Sequence, residues 1–243
     1  MRVASWKRGK YMIRLNHLNY RIKQEHILKN ITLDIKPNEV IGVVGESGSG
    51  KTTLMQIILG LIQPTSGTYT SHQHHILPIF QHAYDSFNPK FRMRQSMAEA
   101  IKYQNQTDES QMFERLSKLM ERMQLDDQML NKYPEELSGG QLQRFNTIRT
   151  MMLAPDIIIG DEMTASLDVI AEQRMLQILK EDYVKVNNSR KGLILISHDI
   201  TFLNQIVERL IVMKQGEIVD DFHVQNLFDQ QRHVYTQELL SIY

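Results

Sequence analysis

The sequence predicts an α/β fold: a parallel core sheet with helices, an antiparallel pair of strands near its start and an inserted helical segment. Three observations carry this. Short apolar, β-branched runs stand at Val40–Val44, Ile157–Ile159 and Leu193–Ile196, as buried strands of a parallel sheet require. Helical patterns with apolar residues at i, i+3, i+4 and i+7 follow the first and third of them. Between Gln81 and Leu137 the character changes to methionine, charged and amide residues without a strand-like run.

The chain has 243 residues, enough to bury a sizeable core in one domain with an inserted subdomain. Lysine plus arginine and aspartate plus glutamate number 28 each, so no net charge draws the whole chain to nucleic acid or anionic lipid. Cysteine is absent, which excludes disulfides, zinc knuckles and thiol chemistry and fits a reducing compartment. No apolar run approaches the ~18 residues of a transmembrane helix. The basic N-terminus, which holds the single tryptophan, Trp6, lacks a signal peptide's hydrophobic core. Residues 1–11 read as a dispensable extension ahead of Met12-Ile13-Arg14-Leu15.

In chain order, the alternation of Ile13 and Leu15, then Ile31, Leu33 and Ile35, predicts an antiparallel strand pair. Tyr20 falls near the end of the first strand. Pro37-Asn38-Glu39 turns into the strand Val40–Val44. Leu54, Ile57, Ile58 and Leu61 are expected on one face of the next helix. Pro64–Gly67 makes a turn, and the polar stretch Ser71–His75 before Ile76–Phe80 reads as an exposed hairpin. His72, His74, His75 and His82 invite a metal reading, but no cysteine or telling carboxylate pair completes a ligand set. Met112, Leu116, Leu119, Met120 and Met123 recur at helical spacing within an insertion of ~50–70 residues, an ordinary size for a small subdomain. Helices are expected over Gln141–Met152, from about Val169 to Tyr183, and through Leu203, Ile206, Val207 and Leu210. Ile211–Met213 and Glu217–Val219 flank Gln215-Gly216 as a hairpin. There is no internal repeat.

The chemistry begins at Gly45-Glu46-Ser47-Gly48-Ser49-Gly50-Lys51-Thr52-Thr53, which matches G-x-x-x-x-G-K-[ST]. In this loop backbone N–H groups cradle phosphates, the lysine reaches the β- and γ-phosphates, and the hydroxyl beside it ligates Mg²⁺. A strand precedes it and a helix succeeds it, so phosphate is expected at a helix N-terminus. The chain is therefore expected to bind a nucleoside triphosphate. Ser138-Gly139-Gly140-Gln141 makes a second exposed helix N-terminus suited to an anion. Asp161 and Glu162 end a buried strand, where ligands of parallel sheets gather. Asp161 is placed to hold Mg²⁺ through water and Glu162 to polarise an attacking water. His198 follows Leu193–Ile196 at another strand end and is a phosphate-contact candidate.

This ordered set resembles the ATP-binding subunits of ABC transporters, over about Ile13 to Leu240. It comprises Gly45–Thr53, Gln81, Leu137–Gln141, Asp161-Glu162, Ser166-Leu167-Asp168 and His198. Leu-Ser-Gly-Gly-Gln separates that family from other P-loop NTPases. The resemblance implies a RecA-like P-loop NTPase core with β edge (12–82 and 139–220), a helical subdomain (83–138) and a C-terminal tail (221–243). It implies that Tyr20, whose place near a strand end leaves strand packing and a functional role equally open, stacks on adenine. Lys51 and Thr52 hold phosphate and Mg²⁺, and Gln81 senses the metal and lytic water while relaying contact with the membrane subunit. Glu162 is then the catalytic base, His198 holds the γ-phosphate, and Asp168 lies in a loop crossing a dimer interface. Ser138, Gly139, Gly140 and Gln141 serve in trans, over ATP bound by a partner's phosphate loop.

Ser86-Phe87-Asn88-Pro89 and His233-Val234-Tyr235-Thr236-Gln237-Glu238-Leu239-Leu240 are similar to motifs of peptide and nickel importers. That subfamily implies a second ATPase subunit as a heterodimer partner, two permeases and an extracytoplasmic binding protein, at the cytoplasmic face of the cell membrane. The compact C-terminus is more typical of the second ATPase of a nickel-type system. Departures are Asn38 for a turn glycine, Met163 for the proline after the catalytic acid, Val234 for a proline, and a short Gly67–Gln81 segment. None removes a phosphate or metal ligand. A soluble ABC-type ATPase acting on DNA or ribosomes is the alternative; balanced charge and the single cassette count against it, and no nucleic acid partner is expected. A P-loop kinase has no place for Leu137–Gln141.

Overall fold

The computed structural model describes residues 12–36, 38–71, 75–103, 108–186 and 189–241. The described residues form two compact units. One is drawn from Met1–His75 and Ile196–Tyr243, the other is Ile76–Leu195.

In the first unit, β1 (Ile13–Ile22) and β2 (Glu25–Ile35) pair antiparallel, with Ile13 opposite Ile35 and Leu15 opposite Leu33. The expected alternation is met: Ile13, Leu15, Leu18, Ile31, Leu33 and Ile35 are all buried. Between β2 and the next strand Asn38 has φ 62°. That is the left-handed conformation in which asparagine is the tolerated substitute for glycine, so its departure from a glycine turn keeps the same backbone.

The strand β3 (Val40–Val44) is buried throughout and runs into α1 (Lys51–Ile58). The helix stops earlier than its apolar spacing predicted. Leu59 caps it, Gly60 turns left-handed at φ 73°, and Leu61 is 61% exposed rather than packed. Met55 takes the buried position instead. The strand β4 (Ser66–Ser71) pairs with β1, and its Tyr69 hydroxyl donates to the last α1 carbonyl, Ile58, at 2.7 Å.

After His198 comes α6 (Ile200–Asn204), capped by the Asp199 carboxylate, which accepts from the Thr201 and Phe202 N–H groups. The expected longer helix through Leu210 is not formed. Leu210 belongs instead to β10 (Arg209–Lys214), a buried strand paired in parallel with β3. Its helical spacing from Leu203 reflects two separate elements burying residues in one core. The hairpin of β10 with β11 (Glu217–His223) is as predicted, so strand order in this unit is β11-β10-β3. The last element among the described residues is α7 (Val234–Ser241).

In the second unit β5 (Ile76–Ile79) pairs in parallel with β6 (Ile157–Asp161). β4 pairs with β1 and β5 with β6, and residues 72–74 of the expected exposed hairpin lie outside the described residues. His72 and His74 lie outside the described residues, and among the described residues no cluster of metal-ligating side chains occurs. Residues 1–11 lie outside them too.

The inserted helical segment holds α2 (Met93–Tyr103) and α3 (Glu109–Arg122), and α4 (Gly139–Met152) follows directly after it. The segment's core is methionine-rich as expected, with Met93, Met97, Met112, Met120 and Met123 buried beside Leu116 and Leu119. Arg149 on α4 stacks 4.3 Å from the Phe87 ring and donates to the Ser86 carbonyl at 2.7 Å. The predicted helix to Tyr183 is α5 (Val169–Ile178) followed by a wide π turn, Leu179–Val184. That turn lets the buried Tyr183 hydroxyl donate toward the Pro155 and Gly192 carbonyls, at 3.3 and 3.2 Å. Short strands β7 (Lys185–Val186) and β8 (Ser189–Arg190) precede β9 (Gly192–Ser197), which neighbours β6.

Arg209 joins three elements of the first unit. It grips Asp221 through two hydrogen bonds of 2.6 Å each, and its other nitrogen donates to Glu39 at 3.1 Å and to the Asp34 carbonyl at 2.9 Å. The pairing with Asp221 holds the guanidinium more strongly protonated than usual. Arg209→Met should cost about 2–3 kcal/mol of unfolding free energy, because two partly buried carboxylates lose their partner. Arg209→Lys should recover only part of it, because lysine has no planar fork. Chemical denaturation of the three proteins checks this.

Candidate functional site

The phosphate loop is built by its neighbours as much as by its own glycines. Register places Val44 opposite Val212 of β10, so the chain leaves β3 directly over the Met213 carbonyl. A Cβ at Gly45 would fall onto that carbonyl oxygen and lie 2.8 Å from Ser49 Oγ. Gly50, at φ 100°, enters α1 in a left-handed conformation with Leu28 2.7 Å from where a Cβ would be. The N-cap of α1 is Gly50, which has no side chain with which to cap the helix. The amides of the first helical turn are thus oriented for an anion in the manner such loops use.

Lys51 is buried, at 7% exposure. Its ammonium donates to the carbonyls of Gly45 and Glu46 at 2.7 and 2.8 Å, and to Ser49 Oγ at 3.3 Å. The loop is tied from outside as well: the Gly216 N–H donates to the Ser49 carbonyl at 3.1 Å. Glu46, Ser47, Gly48 and Thr52 are exposed, and Thr53 is half-buried. Tyr20, half-buried on β1 opposite Leu28, and the exposed His198 after β9 belong to the same unit.

The second unit holds the acidic residues. Asp161 ends β6 at 8% exposure. Glu162 lies just past the strand with φ 43°, a conformation rare for this residue type and the kind found at functional turns. Gly160 makes room for the Met163 side chain: a Cβ there would stand 2.5 Å from Met163 Sδ. The proline-to-methionine departure therefore fills a pocket that the glycine leaves. Parallel register sets Ile79 against Gly160, and two residues further on each chain the Gln81 amide donates to Glu162 Oε2 at 3.2 Å. Gln81 and Glu162, inferred separately from sequence, are brought together.

Ser138 caps α4. Its Oγ accepts from the Gln141 N–H at 3.2 Å while the Gln141 side-chain oxygen accepts from the Ser138 N–H at 2.9 Å, a reciprocal capping box. Gly140 lies against the Ser166 carbonyl, 3.1 Å from where its Cβ would be. Asp168 caps α5 by accepting from the Ala171 N–H at 2.8 Å. The Leu137–Gln141 and Ser166–Asp168 motifs thus adjoin in space, and both acid and serine have structural duties that sequence reading did not anticipate.

This arrangement is that of an ATP-binding cassette. Residues 28–165 match the ABC transporter family. The chain belongs to that family. It is an ABC ATPase, binding ATP and hydrolysing it. It is similar to the nickel import system ATP-binding protein NikE of Staphylococcus aureus (strain USA300), with 42% identity over 96% of this chain and 99% of that one. The same protein of strain bovine RF122 / ET3-1 is 41% identical over the same shares. Among solved structures, the dimeric ATP-binding cassette MJ0796 bound to ADP and Pi matches with a TM-score of 0.75 and 26% identity. It covers 88% of this chain and 99% of its own.

The contact this ABC ATPase makes between its tail and its phosphate loop was invisible to sequence reading. Tyr235 Oη accepts from the Glu46 N–H at 3.0 Å, across 189 residues. His233–Leu240 marked a subfamily, and nothing in its spacing tied it to the loop.

Gly45→Ala should abolish measurable nucleotide binding and lower the melting temperature by about 2–4 °C for each kcal/mol of stability lost, since a methyl group cannot displace the Met213 backbone carbonyl. Calorimetry with ATP and thermal melts of the same preparation check both parts.

Proposed function

We propose that this ABC ATPase powers an importer for nickel or a metal chelate, within the group that also imports oligopeptides and dipeptides. The observation that carries it is the 42% identity with the nickel import ATP-binding protein over nearly the full length of both chains. The Ser86–Pro89 and His233–Leu240 motifs support the same subfamily. The chain's place is the cytoplasmic face of the cell membrane, bound peripherally to two permeases. Among the described residues no helix is long and apolar enough to cross a membrane. A second ATPase subunit pairs with it, and an extracytoplasmic binding protein delivers cargo. Similarity to an import protein disfavours the reading as a soluble ATPase of DNA or ribosomes.

In the cycle, amides of the Gly45–Thr53 loop other than that of Glu46, together with Lys51, bind the phosphates, and Tyr20 stacks on adenine. Glu162 takes a proton from the attacking water, Gln81 holds that carboxylate and orients the water, and His198 steadies the γ-phosphate. Mg²⁺ takes hard oxygen donors, and each residue proposed for it offers one by itself: Thr52 of the first unit an exposed hydroxyl, Asp161 of the second a buried carboxylate at a strand end. When bound, the ion neutralises charge on the β- and γ-phosphate oxygens. Ser138–Gln141 cover ATP held by the partner subunit, and the loop of Asp168 crosses between subunits. Pairing of cassettes has a precedent in the dimeric structures of MJ0796.

Glu162→Gln should keep ATP affinity while lowering kcat by about 100- to 10,000-fold in the presence of the partner ATPase, the range lost with a general base. Turnover at the wild-type rate would remove Glu162 from this role. Ser138→Arg should block joint hydrolysis by the two subunits yet leave ATP binding by this chain intact; loss of both would remove the role in trans. Cargo is read from cells lacking this chain, which should lose uptake of radioactive nickel, given free or chelated. Unchanged metal uptake with lost dipeptide uptake would move the chain to the peptide branch.

A further inference from the structure

The segment after β11 is fastened to its own sheet by a cluster that the chemistry above does not use. Asp220 on β11 accepts from the Thr236 hydroxyl at 2.9 Å, the His233 N–H at 3.0 Å and Arg232 at 3.4 Å. Arg232 also stacks 4.4 Å over Phe222, and Lys214, at the end of β10, lies 4.2 Å from the centroid of the Tyr235 ring. Thr236 is fully buried and Tyr235 is 6% exposed. Few rotamers remain open to Tyr235, and its hydroxyl is delivered to one place.

That place is the edge of the peptide unit joining Gly45 to Glu46. The unit is a rigid trans plane, so its C=O and N–H point in opposite directions. Its carbonyl receives the Lys51 ammonium at 2.7 Å, and its N–H donates to Tyr235 Oη at 3.0 Å. Rotation of this plane would break both contacts together. The tyrosine therefore holds from behind the peptide that seats the lysine from the front. Burial raises the Tyr235 hydroxyl above the ordinary tyrosine range, so it stays neutral at physiological pH.

We infer that Tyr235 is a positioning residue for Lys51: it preorganises the phosphate loop by fixing the Gly45–Glu46 peptide, and so tunes affinity for ATP. The inference rests on the reading of Gly45–Thr53 as the phosphate cradle. Preorganisation of a binding loop appears in affinity, because ligand no longer has to order it.

The test uses the full chain with Tyr235→Phe, which keeps the ring and its packing against Lys214 and removes only the acceptor. The dissociation constant for ATP and the KM measured with the partner ATPase should each rise about five- to ten-fold, the worth of one buried hydrogen bond, with kcat within two-fold of wild type. Tyr183→Phe removes a buried tyrosine hydroxyl in the other unit, and should lower the melting temperature without changing ATP affinity. If Tyr235→Phe binds ATP within two-fold of wild type, or if Tyr183→Phe weakens ATP equally, the positioning role is overturned. Lys51→Ala should abolish binding; wild-type affinity there would overturn the cradle reading instead. Should Tyr235→Phe fail to fold, hydrogen exchange of the Glu46 amide in the wild type decides: protection is expected, and exchange at the rate of an open amide refutes the contact.

Discussion

A loop that turns its amides toward an anion cannot use the same amides to hold itself together. This constraint governs the first unit. The support comes from behind: the Met213 carbonyl under Gly45, the Gly216 N–H on the Ser49 carbonyl, and the Tyr235 hydroxyl on the Glu46 N–H. All three supports come from the β10/β11 hairpin or the helix after it. Parallel pairing of β3 with β10 is what brings them there. Lys51 then binds inward to the loop's own carbonyls, so the lysine is seated on the loop it serves.

The second unit solves a different problem, the placing of carboxylates at the end of a buried strand. Asp161 is still in β6, and the chain turns left-handed at Glu162 to lift the next carboxylate out of the strand's alternation. Strain of this kind, of order 1–3 kcal/mol, is held only where the surroundings over-determine it. Here Met163 fills the space over Gly160, the Ala165 N–H returns to the Glu162 carbonyl, and Gln81 binds the carboxylate itself. The β5/β6 register supplies Gln81, so the same pairing that closes the sheet edge assembles this pair.

Capping explains why two of the motifs have the composition they do. Ser138 with Gln141 forms a reciprocal box at the start of α4, and Asp168 caps α5. Each such cap is worth about 1 kcal/mol. The residues proposed for intersubunit contact therefore stand at helix starts that they themselves stabilise, and Gly140 is small because the Ser166 backbone lies against it. The helical segment buries a methionine-rich core, whose unbranched side chains can fill irregular gaps between helices.

Most of the architecture was legible locally. Buried strands, the glycine loop, the paired acids and the β10/β11 hairpin follow from residue type and spacing within about ten positions of each other. The departures from local pattern have separate causes. Leu210 fits a helical period without being in the helix, because a core accepts apolar residues from any element that reaches it, whereas Leu61 falls beyond the left-handed turn at Gly60 and stays exposed. Ile76–Ile79 invites pairing with its sequence neighbour, though its backbone partner, β6, lies some eighty positions on. That the chain binds and hydrolyses nucleotide is written in residue order, because that chemistry needs particular side chains at fixed short spacings. What holds the candidate residues emerges with the fold: the Gln81–Glu162 bond, the Met213 carbonyl under Gly45 and the Tyr235 hydroxyl on the loop. Such contacts depend on strand register and on the docking of a distant helix, and neither leaves a periodic trace in the order of the residues.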